Sequence, residues 1–213
     1  LKVNREDMRC YVVTTRDFLD GRALKDDCEE ILKNGATFLQ LREKNIDFDE
    51  YVNLGFELKE VAKKYNIPFV IDDNIEVAIK VDADGVHIGQ SDIDAKTARK
   101  LIGEDKILGV SAQNVYQAIE AEKMGADYLG IGPVFPTKTK PNEKLIDLDE
   151  VRRISESVNI PILVIGGIDD ESIYKVKNSN TDGVAVISYI FNSDTKGKNT
   201  RKLREISDEL FRK

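Results

Sequence analysis

A closed barrel of eight parallel strands, each followed by a helix, is the fold this sequence predicts: an α/β chain of the (β/α)8 or TIM-barrel class. Three observations predict it. Short β-rich apolar runs recur eight times along 213 residues; charged stretches with apolar residues at three- and four-residue spacing separate them; and no linker or low-complexity segment divides the chain. Strands that read as continuous apolar runs belong to a parallel sheet covered by helices, and a count of eight favours closure over an open doubly wound sheet. The length suits one domain over residues 1–213, with few insertions.

In order, the runs fall at residues 10–14, 37–41, 69–72, 85–88, 107–110, 128–131, 162–165 and 183–187. Val, Ile, Tyr, Phe and Thr recur in them, residues that pack well on a pleated buried surface. Between the second and third runs, Tyr51, Leu54, Leu58 and Ala62 recur at the spacing of one helix face. After the sixth run comes the longest irregular piece, residues 132–146, GPVFPTKTKPNEKLI, which holds three of the five prolines. A long loop in a compact domain usually carries function, so this one is a candidate lid or binding loop. Near the end, Leu203, Ile206 and Leu210 give residues 196–213 an apolar face that predicts a helix packed on its own barrel.

Composition narrows the function classes. At 41% hydrophobic and 33% charged the chain reads as an ordinary globular protein, neither disordered nor collagen-like. A net charge of −7, with Lys interleaved among Glu and Asp, offers no basic field for nucleic acid, so any anion must be captured locally. No apolar run approaches the roughly 20 residues that cross a bilayer, and the first residues lack a signal peptide's apolar stretch; a cytoplasmic protein without a membrane partner is expected. Cys10 and Cys28 have neither metal-ligand spacing nor the density of a disulfide framework, and are expected to be small buried hydrophobes.

In barrel enzymes the chemistry sits at the carboxyl ends of strands and in the loops that follow. After the second run come Gln40, Arg42 and Lys44, which the period of two aims to one side if the strand persists. Arg offers phosphate a planar fork and Lys a point charge; a salt bridge from either to Glu43 or Asp72 is the alternative. Asp73 and Asp92 follow neighbouring strands. They could converge on Mg²⁺, which takes one or two carboxylates plus phosphate oxygens and water, or merely cap the next helices. His87, the single histidine, is expected to satisfy a core position. Gly166 and Gly167 after the seventh run and Ser188 after the eighth fall where barrels bind phosphate through backbone N–H groups; a tight turn is the other reading of the glycine pair. The reading that emerges is a barrel mouth that binds phosphorylated small molecules with Mg²⁺.

With these residues in place, the chain resembles the thiamine-phosphate synthase (thiamine-phosphate pyrophosphorylase) family over nearly its whole length. Seven motifs match in order: QLREK from Gln40, Asp73 within IDDN, DGVHIGQSD from Asp84, GVS ending at Ser111, GIGPVFPTKTK from Gly130, IGGI from Ile165 and VAVIS ending at Ser188. The resemblance implies a transferase that condenses hydroxymethylpyrimidine diphosphate with hydroxyethylthiazole phosphate, carboxylated or not, to give thiamine phosphate and pyrophosphate. By position it implies that Gln40, Arg42, Lys44, Ser111 and Lys140 meet the pyrimidine diphosphate, that Asp73 and Asp92 hold Mg²⁺, and that Thr137, Thr139, Gly167, Ile187 and Ser188 surround the thiazole phosphate. Arg42, Lys44, Ser111 and Lys140 would be the catalytic set, with the loop after the sixth strand closing as a lid.

One residue departs: Asp72 stands where the family often has Asn. An amide can donate to diphosphate, whereas a carboxylate repels it unless a cation intervenes, so metal binding, pairing with Arg42 or Lys44, and contact with the pyrimidine amine all stay open for Asp72. Two rivals use the same barrel. A thiazole tautomerase would need an acid-base group and no diphosphate site, and a noncatalytic phosphate-ligand sensor would bind without turnover. A homo-oligomer built on helices or barrel rims is compatible with the pattern.

Overall fold

The computed structural model describes residues 3–137 and 144–212. Its strands are β1 (Cys10–Val13), β2 (Phe38–Leu41), β3 (Phe69–Asp72), β4 (Gly85–Ile88), β5 (Ile107–Ala112), β6 (Tyr128–Ile131), β7 (Ile162–Ile165) and β8 (Gly183–Val186). All pair in parallel with their sequence neighbours, and β8 returns to β1 through Cys10 opposite Val184, which closes the barrel. The helices are α1 (Leu24–Lys33), α2 (Phe48–Tyr65), α3 (Ile75–Val81), α4 (Ala95–Ile102), α5 (Val115–Lys123), α6 (Leu148–Ser157), α7 (Ser188–Phe191) and α8 (Lys196–Leu210). A 3-10 segment, Ser172–Ser179, takes the place of a helix after β7.

The expected strands are present, with ends displaced by a residue or two. Thr14, Thr37 and Ile187 lie just outside them, and β5 runs two residues further, so that Ser111 sits within the strand. Thr37 anchors the start of β1 instead, its hydroxyl accepting from the Cys10 N–H at 2.9 Å. The same device recurs before each even-numbered strand. Asp84, Asp127 and Asp182 accept from the N–H groups of Phe69, Leu108 and Ile162 at 2.9, 2.7 and 2.9 Å. Each satisfies a donor near the start of the preceding strand and pins the barrel's amino end, away from the mouth.

Two apolar layers follow from the alternation of side chains. Outward residues such as Val12, Leu39, Leu41, Ile71, Val86, Leu108, Leu129 and Val164 pack under the helices. Inward residues Tyr11, Val13, Phe38, Val70, Ile107, Tyr128, Leu163 and Ala185 fill the barrel, and Met8, from the 3-10 turn Arg5–Met8, plugs its floor. Tyr11 stacks on Phe38 with ring centroids 4.6 Å apart, so the interior is packed rather than a pore. In α8, Leu203 and Ile206 are buried in the chain's own outer core, as their spacing predicts. Cys10 and Cys28 are buried free thiols; burial pushes the Cys10 thiol up to about 12, leaving it unreactive. No helix among the described residues is long and apolar enough to cross a membrane.

Candidate active site

Above the aromatic floor, the carboxyl ends of the strands open into a cavity of about 710 Å³. Each strand offers one inward position at or just past its end: Val13, Gln40, Asp72, His87, Ser111, Gly130, Ile165 and Ile187 all line it. The loops add Arg42, Lys44, Asp73, Asp92, Thr137, Gly166, Gly167 and Ser188. Every described candidate site residue therefore faces one space. Thr139 and Lys140 lie outside the described residues.

Although β2 ends at Leu41, Gln40, Arg42 and Lys44 still face the cavity together. The Arg42 N–H donates to the Thr14 hydroxyl at 3.0 Å, which continues the strand-like path past the last ladder bond. Glu43 turns the other way and pairs with Arg16 at 2.9 Å. Of the salt bridges considered for this run, the one formed among the described residues is Arg42 to Asp72, at 3.7 Å. The Tyr51 hydroxyl lies 3.0 Å from the Leu41 carbonyl and 2.9 Å from that of Asp72, and so ties the ends of β2 and β3 together.

Asp73 and Asp92 do not cap the helices that follow them. Asn74 caps α3 by accepting from the Val77 N–H, and Asp94 caps α4 by accepting from Thr97. Asp73 instead adopts a left-handed φ of 61°, with its N–H on the His87 carbonyl at 2.8 Å. Its carboxyl lies near that of Asp92 on the same wall of the cavity. Burial, together with the charges of Asp72 and Asp92, pushes Asp73 up to about 7, with Lys44 opposing. One oxygen of Asp92 accepts from the Gly89 N–H at 2.7 Å, which holds that carboxyl in place. Two carboxyls this close need a proton or a cation between them. An all-oxygen pair beside an open cavity fits a hard cation such as Mg²⁺, with the remaining positions left to phosphate oxygens and water. No group of three or more His, Cys, Asp or Glu is assembled for a metal among the described residues.

The opposite wall is built from backbone. Gly166 and Gly167 have φ of 99° and 64°, and a Cβ on Gly167 would stand 2.7 Å from both the Phe135 Cβ and the Pro136 carbonyl oxygen. Only glycine allows that turn against the segment after β6. Beside it, Ser188 opens the short helix α7, so backbone N–H groups and a hydroxyl border the space.

His87 is satisfied on both ring nitrogens, as expected of a core histidine, yet it also lines the cavity. Nδ1 lies 3.0 Å from the Tyr128 hydroxyl and Nε2 3.0 Å from the Ser111 hydroxyl. Tyr128 meets Tyr11 at 2.7 Å, Tyr11 donates to the Gln40 side-chain oxygen at 3.0 Å, and the Gln40 amide donates to Asp72. Gly109 makes the crossing possible, since a Cβ there would lie 2.3 Å from the Tyr128 hydroxyl and 2.6 Å from His87 Nδ1. Sequence reasoning passed over Tyr11 and Tyr128. The available signal was a phenol at the inward phase of two strands whose other inward residues are aliphatic or glycine.

Known proteins resemble the chain in sequence and fold. The thiamine monophosphate synthase family matches residues 10–190. The thiamine-phosphate synthase of Clostridium tetani (strain Massachusetts / E88) is 44% identical over 203 residues, covering 95% of this chain and 97% of that protein. That of Clostridium novyi (strain NT) is 46% identical over 187 residues, covering 87% and 92%. The solved structure of the thiamine phosphate pyrophosphorylase from Pyrococcus furiosus superposes with a TM-score of 0.90 at 38% identity, over 98% of this chain and 99% of that one.

Proposed function

The chain belongs to the thiamine monophosphate synthase family, transferases that release diphosphate, and from that premise we propose that its cavity joins hydroxymethylpyrimidine diphosphate to hydroxyethylthiazole phosphate. The products are thiamine phosphate and diphosphate, with CO₂ when the thiazole is carboxylated. The observation that carries the reading is the meeting, in one cavity, of a cation pair suited to a diphosphate, a carboxylate pair suited to a divalent cation and a glycine turn suited to a second phosphate.

Arg42 and Lys44 bind the diphosphate, the first through its planar fork and the second as a point charge. Asp73 and Asp92 would hold Mg²⁺, which would supply positive charge to offset the negative charge developing on the diphosphate. Asp72, paired with Arg42, orients that guanidinium. Gln40 and Ser111 hold the pyrimidine ring. Gly167, Ile187, Ser188 and Thr137, with Thr139, surround the thiazole phosphate and so bring the thiazole nitrogen against the pyrimidine methylene. The electron-rich aminopyrimidine stabilises positive charge on that methylene as the bond to diphosphate breaks, so no protein nucleophile is needed. Lys140, which lies outside the described residues, adds positive charge to the leaving group.

Product analysis with both substrates tests this, with and without Mg²⁺, comparing the natural chain with Asp92→Ala and Lys140→Ala. Mg²⁺-dependent thiamine phosphate formation that both substitutions weaken is the expected result. A folded natural chain that binds both substrates and joins neither would reject it. We place the enzyme in the cytoplasm, working on small phosphorylated substrates as a monomer or homo-oligomer; light scattering measures the assembly.

A further inference from the structure

The hydrogen bonds that cross the barrel floor form one continuous path, Asp72 to Gln40 to Tyr11 to Tyr128 to His87 to Ser111. Its direction follows from counting protons. The Asp72 carboxylate, facing Arg42 with its other oxygen, can only accept, so the Gln40 NH₂ must point at it. The Gln40 oxygen then accepts from Tyr11 at 3.0 Å. A phenol has one proton, so Tyr11 must accept from Tyr128, at 2.7 Å. Tyr128 has then used its own proton and must accept from His87 Nδ1 at 3.0 Å. Burial raises both phenols well above their ordinary range, so each keeps its proton. A neutral His87 protonated on Nδ1 offers a lone pair at Nε2, and the Ser111 hydroxyl donates to it at 3.0 Å. Ser111, which lines the cavity, is left with only lone pairs to present there.

We infer that Asp72 is a positioning residue that, through this chain, holds His87 as its Nδ1–H tautomer and makes the Ser111 hydroxyl an acceptor, so that the cavity selects a ring bearing an amino group over one bearing a carbonyl. The tautomer rests on the structure alone; the link to an aminopyrimidine rests on the proposed function. Carbonyl and amino groups of similar size are separated here by hydrogen-bond polarity, because a mismatch would place two acceptors face to face. Gln90, whose side chain donates to the Ser111 carbonyl at 2.6 Å, meets the serine at its backbone and not at the hydroxyl that ends the chain.

His87 is the single histidine, so nitrogen-15 spectra of histidine-labelled protein without substrate read its tautomer directly, at a pH where the imidazole is neutral. The natural protein is expected in the Nδ1–H form. Tyr128→Phe cuts the chain, and Asp72→Asn, whose amide can donate as well as accept, removes its direction; both are expected to shift the population toward Nε2–H. Gln90→Ala, outside the chain, is the control expected to leave the tautomer unchanged. In the coupling assay, the natural enzyme is expected to prefer the amino over the oxo pyrimidine diphosphate in kcat/KM by about a hundredfold or more, and Asp72→Asn to lose about tenfold of that preference. An Nε2–H tautomer in the natural protein, or an Nδ1–H tautomer that survives Asp72→Asn with selectivity intact, overturns the inference while leaving synthase activity untouched. Absence of coupling with the expected tautomer shifts would instead remove the functional reading and leave the chain standing.

Discussion

The two walls of the mouth are built in opposite ways. From β2 to β5 the cavity presents charged and polar side chains, Gln40, Arg42, Lys44, Asp72, Asp73, Asp92 and Ser111; from β6 to β8 it presents mainly glycine backbone, aliphatic side chains and the start of a short helix. The first wall stores electrostatic cost and the second stores conformational cost. Charge that changes during a reaction calls for full charges and a metal, whereas a phosphate that only has to be held is served by oriented N–H groups. Substitutions on the two walls should therefore fail differently.

The largest effect is expected on the charged wall. Asp92→Ala and Arg42→Ala should each lower kcat/KM for coupling by about a hundredfold or more, with the KM for thiazole phosphate little changed. Steady-state kinetics with each substrate varied in turn measures the split, and an equal rise in both KM values would erase the distinction between the walls. Gly167→Ala should show the reverse pattern. A Cβ at φ of 64°, 2.7 Å from Phe135 and Pro136 atoms, should cost about 1–3 kcal/mol of stability and raise the KM for thiazole phosphate more than that for the pyrimidine.

Electrostatic cost on the charged wall has its own signature. Asp73 is held at about 7, above the ordinary carboxylate value of 3.8, so without metal the folded state binds its proton more tightly than the unfolded chain does. Its contribution is therefore most favourable at low pH and is lost as pH rises from the ordinary value through about 7. Asp73→Asn should raise the metal-free Tm near neutrality by a few degrees while removing the Tm increase expected of the natural protein on adding Mg²⁺. Thermal melts with Mg²⁺ or a chelator test both halves of that statement.

The smallest effect belongs away from both walls. Asp82, exposed, is lowered to about 2 by Lys106 and Lys59, so any stability it adds is present above the ordinary carboxylate value and lost as pH falls through about 2. Exposed pairs contribute little, and Asp82→Asn should shift the neutral Tm by no more than about a degree. Coupling activity should not change.

Much of this site was legible because barrel chemistry sits after strands, and strands announce themselves as apolar runs. Gln40, Arg42, Lys44, Asp73, Asp92 and Ser188 could be picked out from what followed each run, without knowing any distance. Identical arithmetic could not separate a cavity-facing Asp73 from a helix cap, because a carboxylate one residue before Asn74 serves either role until the cap is seen to be Asn74. Nor could it tell which acid Arg42 would choose. Glu43 is adjacent in sequence but turns toward Arg16, and the partner is Asp72 from the next strand.

The sequence by itself determined the barrel, its strand order and the end at which polar residues gather, since these depend on periodicities of two and 3.6 that local order carries. It also determined the family, through seven ordered motifs. Tertiary structure alone decided the 3-10 segment after β7, the nearness of Asp73 to Asp92, and the path from Asp72 to Ser111. That path joins residues from β1 to β6 across the barrel interior, where separations along the chain exceed a hundred residues between Tyr11 and Tyr128. Such contacts follow from closure and register, and no local pattern encodes which inward side chains closure will bring within hydrogen-bond reach.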